Sequence, residues 1–315
     1  MHRLKGTWLH DALGVWTIVW SYGPIVLALW LFARWPSPWT FAAAFLMAVV
    51  RQNALFVVAH ECFHGTLFRN RKVNAAVGAW VAAAPIVLPY AQSRRIHLDH
   101  HRRVGQDDDP SRYAWDFPTT ERGRWLRYFG GVLTTVPFLV RALKMATGKG
   151  AGPVTDDRAG LEEGSGSKVD LLRVVVVHLV LLGLFTLTLG PIWYFVLWLL
   201  PAIGAHLVLD DLRQFLEHRE GKLVIYRAGP IERFVYGPFN FHLHAFHHAI
   251  ASEPWFCVPA SEERARVKAP HIVTLGSYTV EIVRYLRGRG LERPASVSAA
   301  SAAADEGSKS GPSLR

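Results

Sequence analysis

Long apolar runs separated by short polar breaks dominate this chain. Residues 14–33 run for twenty positions without a charge, and at 1.5 Å per residue such a helix crosses about 30 Å of hydrocarbon. A cleaved leader would have a shorter apolar core ending in small residues. This run ends in Arg34-Trp35-Pro36, and it predicts a spanning helix. A second run, 39–59, is interrupted by Arg51-Gln52-Asn53. Charge deep in lipid is costly, so the pattern predicts one long helix that leaves the bilayer near Arg51 and continues into water or protein. Residues 75–91 are apolar but broken by Pro85 and Pro89, and predict a re-entrant or interfacial piece. Residues 126–145 are amphipathic with basic flanks and predict a helix lying at the interface. Residues 147–168 read as a flexible linker. Residues 174–189 and 192–209 predict two further spans, paired as an antiparallel hairpin around Gly190-Pro191. Residues 294–315, rich in Ala, Ser and Gly, predict a disordered tail. No repeat of 20–50 residues is visible.

The pattern predicts an all-α integral membrane protein. About four transmembrane helices, interfacial or re-entrant helices and a His-rich cap form one domain over residues 1–293. The short outer turns, 34–38 and 190–191, contain a single basic residue, Arg34. Most other Lys and Arg lie on the opposite side, so the cap and both termini are expected in the cytoplasm. Composition changes this picture little. Half of the 315 residues are hydrophobic and 19% are charged, below the roughly 25% of soluble domains. The net charge of +10 reads as basic side chains facing an anionic leaflet, and no nucleic-acid partner is expected. The two cysteines, Cys62 and Cys257, exclude a disulfide framework or a built-in iron–sulfur cluster.

The candidate chemistry lies in histidine. Nine of the fifteen fall in four places: His60 and His64 in HECFH; His97, His100 and His101 in HLDHH; His218 at the end of RQFLEH; His244, His247 and His248 in HAFHH. Positions i, i+3 and i+4 share a helix face, so each box aims two or three imidazoles at one place. Packed together without a metal, these rings would repel when protonated and leave donors unpaired when buried. HECFH alone also fits the HExxH pattern of zinc proteases, but that reading leaves six histidines without a role. Eight or nine ligands suit two metal ions better than one closed zinc site. Of the other histidines, His2, His10 and His271 read as surface residues and His178 as a hydrogen bond between helices. His206 lies too far along a continuous helix from His218, and His242 faces away from His244.

The boxes HxxxH, HxxHH and HxxHH resemble those of the integral-membrane fatty acid desaturase and hydroxylase superfamily. The likeness extends to Gly65 after the first box, to QDDDP at 106–110, to Asn240 four residues before the third box, and to Glu253-Pro254-Trp255 with Val258-Pro259 after it. Ala251 departs from the usual Pro, and Gln214 stands where some members have a water-holding Asn. The resemblance implies a centre of two Fe(II) held by the nine histidines, with O2 as co-substrate. It implies desaturation of a fatty acyl chain, or hydroxylation or ketolation of a lipid or carotenoid. It also implies an external electron donor of ferredoxin or cytochrome type, which Arg94, Arg95, Arg102 and Arg103 could steer if it is acidic. Glu61, Asp99 and Glu217 are assigned to hydrogen bonds that orient imidazoles, or else to ion pairs with neighbouring Arg. A lipid-binding or sensor protein without turnover is the remaining alternative.

Overall fold

A computed structural model describes residues 1–104, 106, 108–111, 120–126, 163–204, 209–218 and 222–288. The first helix, Trp8–Arg34, and the second, Pro38–His64, have 27 residues each, about 40 Å at the α-helical rise. Pro36 and Pro38 force the sharp reversal between them. Ser37 caps the second helix by accepting from the Thr40 amide at 3.2 Å, while Thr40 Oγ1 accepts from the Ser37 amide at 3.0 Å. That helix stops where the first histidine box ends, because Gly65 adopts φ 70°, a conformation in which side chains with a Cβ are disfavoured.

The stretch expected to be re-entrant or interfacial lies in two helices, Arg71–Ile86 and Tyr90–Arg103, bent by 101°, the geometry of a broken span or a re-entrant loop. Pro85 and Pro89 cannot donate, and Val87 turns left-handed at φ 58°. Such a break frees backbone carbonyls in apolar surroundings, where each needs a donor. Three helices supply them. Tyr22 Oη donates to Val81 O at 2.5 Å, His178 Nε2 to Ala84 O at 3.1 Å, and Trp198 Nε1 to Pro85 O at 2.8 Å. His178 Nδ1 in turn accepts from Tyr194 Oη at 2.6 Å, so its predicted role between helices holds. The start of Tyr90–Arg103 is capped from a distant helix, with the Ala91 amide donating to Asp170 Oδ2 at 2.6 Å.

The third long helix is Glu163–Thr188. It begins within the stretch predicted as a linker. Only 6% of its apolar stretch is buried, and Leu171, Leu172, Leu179, Leu184 and Leu187 point outward. A soluble protein seldom displays so large an apolar face; lipid is the environment that suits it.

Among the described residues, three helices are therefore long and apolar enough to cross a membrane, or four if the bent pair counts as one span. Of the fourth span expected at 192–209, the described part is an apolar helix, Pro191–Ala202, with α-helix continuing to Gly204, and residues 205–208 lie outside the described residues. This helix widens to a π turn over Phe195–Leu199, just before Pro201, whose missing N–H such a widening accommodates. The calls on 127–145, 147–162, His206 and the tail lie outside the described residues. The rest is a cap of short helices with one element the all-α reading did not include, a parallel pairing of Val224–Tyr226 with Val273–Leu275.

The second helix and the bent pair meet over Gly78. A Cβ there would sit 2.7 Å from Cys62 Cβ and would strike the Tyr90 ring, whose hydroxyl donates to Cys62 O at 3.0 Å. Gly78→Ala should lower stability by about 1–3 kcal/mol through overpacking, read as a drop in Tm of the detergent-purified protein. An unchanged Tm would show that Tyr90 moves aside without cost.

Candidate metal centre

Each histidine box is aimed by its own backbone device. His60 and His64 occupy the last turns of the second helix before Gly65. His97, His100 and His101 follow the bend, and Arg94 Nε fixes that helix by donating to Phe63 O at 2.9 Å. His218 ends the short helix Asp211–Glu217. His244, His247 and His248 lie on His244–Ala249, which follows two consecutive left-handed residues, Phe239 and Asn240, at φ 55° and 60°.

The structure brings all nine together. One ring nitrogen from each of His60, His64, His97, His101 and His247 falls within 4.8 Å of the others, and the same holds for His100, His218 and His248. His244 joins the second group, its Nε2 lying 3.0 Å from His248 Nε2. The rings of His101 and His248 stack at 4.1 Å and connect the two groups. His60, His100, His218, His244 and His247 are buried.

The donor set fits metal ions. His100 Nε2 and His248 Nε2 lie 2.9 and 3.0 Å from His218 Nε2; His64 Nε2 and His97 Nε2 are 2.7 Å apart. Two imidazole nitrogens bound at right angles to one ion at about 2.1 Å would stand about 3.0 Å apart. Both ring nitrogens of His60 and of His247, and Nε2 of His101, are buried without a hydrogen-bond partner among the described residues. Each such atom costs about 1–3 kcal/mol if left unsatisfied, and coordination removes the cost for the lone pairs.

Other predicted residues have different partners. Glu61 Oε2 accepts from Thr66 Oγ1 at 2.8 Å and from the Trp255 amide at 3.1 Å, tying the first box to the segment after the third. Its Oε1 stays 3.8 Å from His60 Nδ1, beyond hydrogen-bond range. Asp99 pairs with Arg103 at 3.3 Å. Glu217 accepts from Arg213 at 2.9 Å and from Tyr278 Oη at 2.6 Å. For Asp99 and Glu217 the ion-pair alternative is therefore what is seen. Gln214 donates to Asp210 at 2.8 Å, and Asn240 to Trp255 O at 3.3 Å. His10 is a correction: it is buried, 2.7 Å from Thr66 O, with its ring edge-on to Phe256.

Two participants were not anticipated. Asp109 is buried and receives His100 Nδ1 at 2.9 Å on both oxygens. That bond places the proton on Nδ1 and leaves Nε2 as the donor atom facing His218. Its position in QDDDP was the available signal. Arg213 lies over the Phe241 ring at 4.1 Å, and that ring stacks on His244 at 4.4 Å. The aromatic ring thus separates a guanidinium from the imidazoles.

Burial, and then neighbouring rings, hold His218, His244, His247 and His248 well below the ordinary histidine range. Burial pushes Glu217 up to about 7 against the pull of Arg213.

The fold and this site define a helical membrane protein with a buried polyhistidine cluster between its helices and its cap. The chain belongs to the fatty acid desaturase family, whose pattern it matches over residues 33–275. It is 28% identical over 249 residues to a beta-carotene ketolase of Paracoccus sp., a match covering 76% of this chain and 86% of the ketolase. It is 27% identical over 214 residues to the sn-1 acyl-lipid omega-3 desaturase (ferredoxin) of Nostoc sp., covering 65% of this chain and 57% of that enzyme. A sphingolipid delta(4)-desaturase/C4-monooxygenase of Rattus norvegicus is 33% identical over 116 residues, covering 34% of this chain and 35% of that protein. The chain thus spans most of the ketolase but little more than half of the Nostoc desaturase. These relatives support an oxidoreductase.

Two outcomes follow for the site. Because the folded histidines bind protons less readily than unfolded ones, the metal-free protein should lose stability as pH falls below about 6.5, by up to about 1.4 kcal/mol per pH unit for each histidine, against a smaller opposite contribution from Glu217 that ends near pH 7. Thermal unfolding in chelator between pH 5 and 8 checks this; a Tm independent of pH would contradict it. Asp109→Asn should weaken metal binding roughly 10–100-fold, measured by competition with a chromogenic chelator, while His100→Ala should weaken it at least as much.

Proposed function

We propose that this chain is an O2-dependent diiron oxidoreductase that desaturates a fatty acyl chain. The convergence of nine imidazoles, in a group of five and a group of four once His244 is counted, is the observation that carries the reading. His60, His64, His97, His101 and His247 would hold one iron, and His100, His218, His244 and His248 the other. Breaking an unactivated C–H bond is beyond any side-chain acid or base, and bound iron would supply the O2 activation and redox capacity for it.

The residues themselves do three things. Asp109 keeps the His100 proton on Nδ1. Glu61 holds the first box against Trp255 through the latter's amide. Phe241, edge-on to His60 at 4.8 Å and stacked on His244, shields the rings from water. Electrons would come from a separate carrier, as the name of the Nostoc relative indicates for that enzyme. The cap and both termini would face the cytoplasm, where such a carrier could dock. Arg102 is exposed there, whereas Arg103 is engaged by Asp99 and Asp108.

Carotenoid ketolation is the second reading, favoured by the extent of the match to the Paracoccus enzyme. Metal analysis of wild type beside His247→Ala, followed by lipid and carotenoid analysis of cells expressing each, tests both. About two iron per chain are expected, falling in the variant, with a new acyl double bond that His247→Ala does not make. A keto-carotenoid as the sole product would select the second reading. One zinc per chain, unaffected by the substitution, would overturn both.

A further inference from the structure

Away from the histidines, the second helix contains a cation with no counter-charge among the described residues. Arg51 is fully buried, and its Nε and both Nη atoms lack any hydrogen-bond partner among the described residues. It stands nine residues before His60, about 13 Å along the axis and half a turn around it, so it is no part of the histidine cluster. Aromatic rings surround it instead. The guanidinium carbon lies 4.9 Å from the Phe234 ring centroid, 5.8 Å from Phe239 and 6.0 Å from Trp20. These faces attract the positive charge but satisfy none of its five N–H groups. On the same turn, Gln52 donates to Trp198 O and Asn53 to Val235 O. Those amides hold the helix in place without neutralising Arg51.

We propose that Arg51 is a binding site for the acidic head of a membrane amphiphile, a carboxylate or a phosphate. An unpaired buried guanidinium is expensive, and one within a membrane-spanning helix needs a partner. The rings offer its N–H groups no acceptor oxygen, and the guanidinium fork matches the two oxygens of a carboxylate or phosphate. The position favours a ligand with an apolar tail over a free anion. Trp20 is 44% exposed on an outward face with Val15, Trp16 and Val19, and Phe234 is half-buried on the short helix Pro230–Val235. One layer of aromatic rings thus separates Arg51 from the apolar exterior, so an amphiphile can enter head first while its tail stays among apolar side chains. The left-handed turn at Phe239 and Asn240 supports a built site. It holds the Phe239 ring 5.8 Å from the Arg51 guanidinium carbon.

Thermal shift and equilibrium binding on the detergent-purified full-length protein test this with four probes: oleate, oleyl phosphate, oleyl alcohol and inorganic phosphate. Oleate and oleyl phosphate are expected to raise Tm saturably, and the alcohol and the free phosphate are not. Arg51→Met should weaken both acidic probes roughly thirty-fold or more with metal content unchanged, and Arg51→Lys should fall between. Stabilisation by oleyl alcohol equal to that by oleate, or undiminished binding in Arg51→Met, would overturn the proposal. Inorganic phosphate acting as well as oleyl phosphate would reject the amphiphile for a free anion. If Arg51→Met does not fold, the four-probe comparison on wild type and Arg51→Lys decides. Product analysis plays no part in these readouts, so the site stands or falls separately from the proposed oxidation.

Discussion

Neutral imidazole in a dry interior is the constraint on which this structure turns. Each ring brings one donor and one acceptor and tolerates neither unpaired. The protein buries or half-buries nine of them in one place. Charging them is opposed by mutual repulsion and lost solvation, and lone pairs held this way suit a metal ion. The irregular features of the fold serve that arrangement: a helix stopped at Gly65, a helix broken before the second box, and a left-handed turn before the third. Each places a box at an angle that continuous helices could not reach.

The cost of that irregularity is met locally. Carbonyls released at the break near Pro85 are received by Tyr22, His178 and Trp198 from three surrounding helices. Behind His218, Asp210 and Glu217 flank the buried Arg213, and Tyr278 completes the contact to Glu217. Buried ion pairs of this kind seldom add stability over apolar packing, though removing one member is severely destabilising. Here the group joins the helix bearing His218 to the C-terminal helix Tyr278–Leu286. The position of that imidazole therefore depends on residues far along the chain.

Much of this was legible in the amino-acid sequence, for definite reasons. Apolar runs of spanning length and HxxHH spacing are local patterns, and local patterns survive folding. The bend at Pro85 and Pro89 was legible because proline acts on its own backbone. Partners across the fold were not. Asp99 and Glu217 adjoin the boxes, yet adjacency along a helix points neighbouring side chains in different directions, and both turn to arginines. Asp109 reaches His100 only because the chain folds back after the second box. His10 looked like a surface residue because nothing nearby announces Thr66 as its partner. The run over 192–209 was legible as helix, and Pro201 within it does not end the helix, which continues to Gly204.

The grouping of His60 and His64 with His247 has a consequence for how the molecule is made. A ribosome completes the first box early, whereas the fifth histidine of that group belongs to the last quarter of the chain. Throughout most of synthesis the nascent polypeptide, already threaded into the bilayer, displays imidazoles with incomplete company. Any ion captured then would meet at most four of that group's five ligands. Only the arrival of the last box would complete the group, so on the proposed reading the choice of ion would be settled after His247 is made.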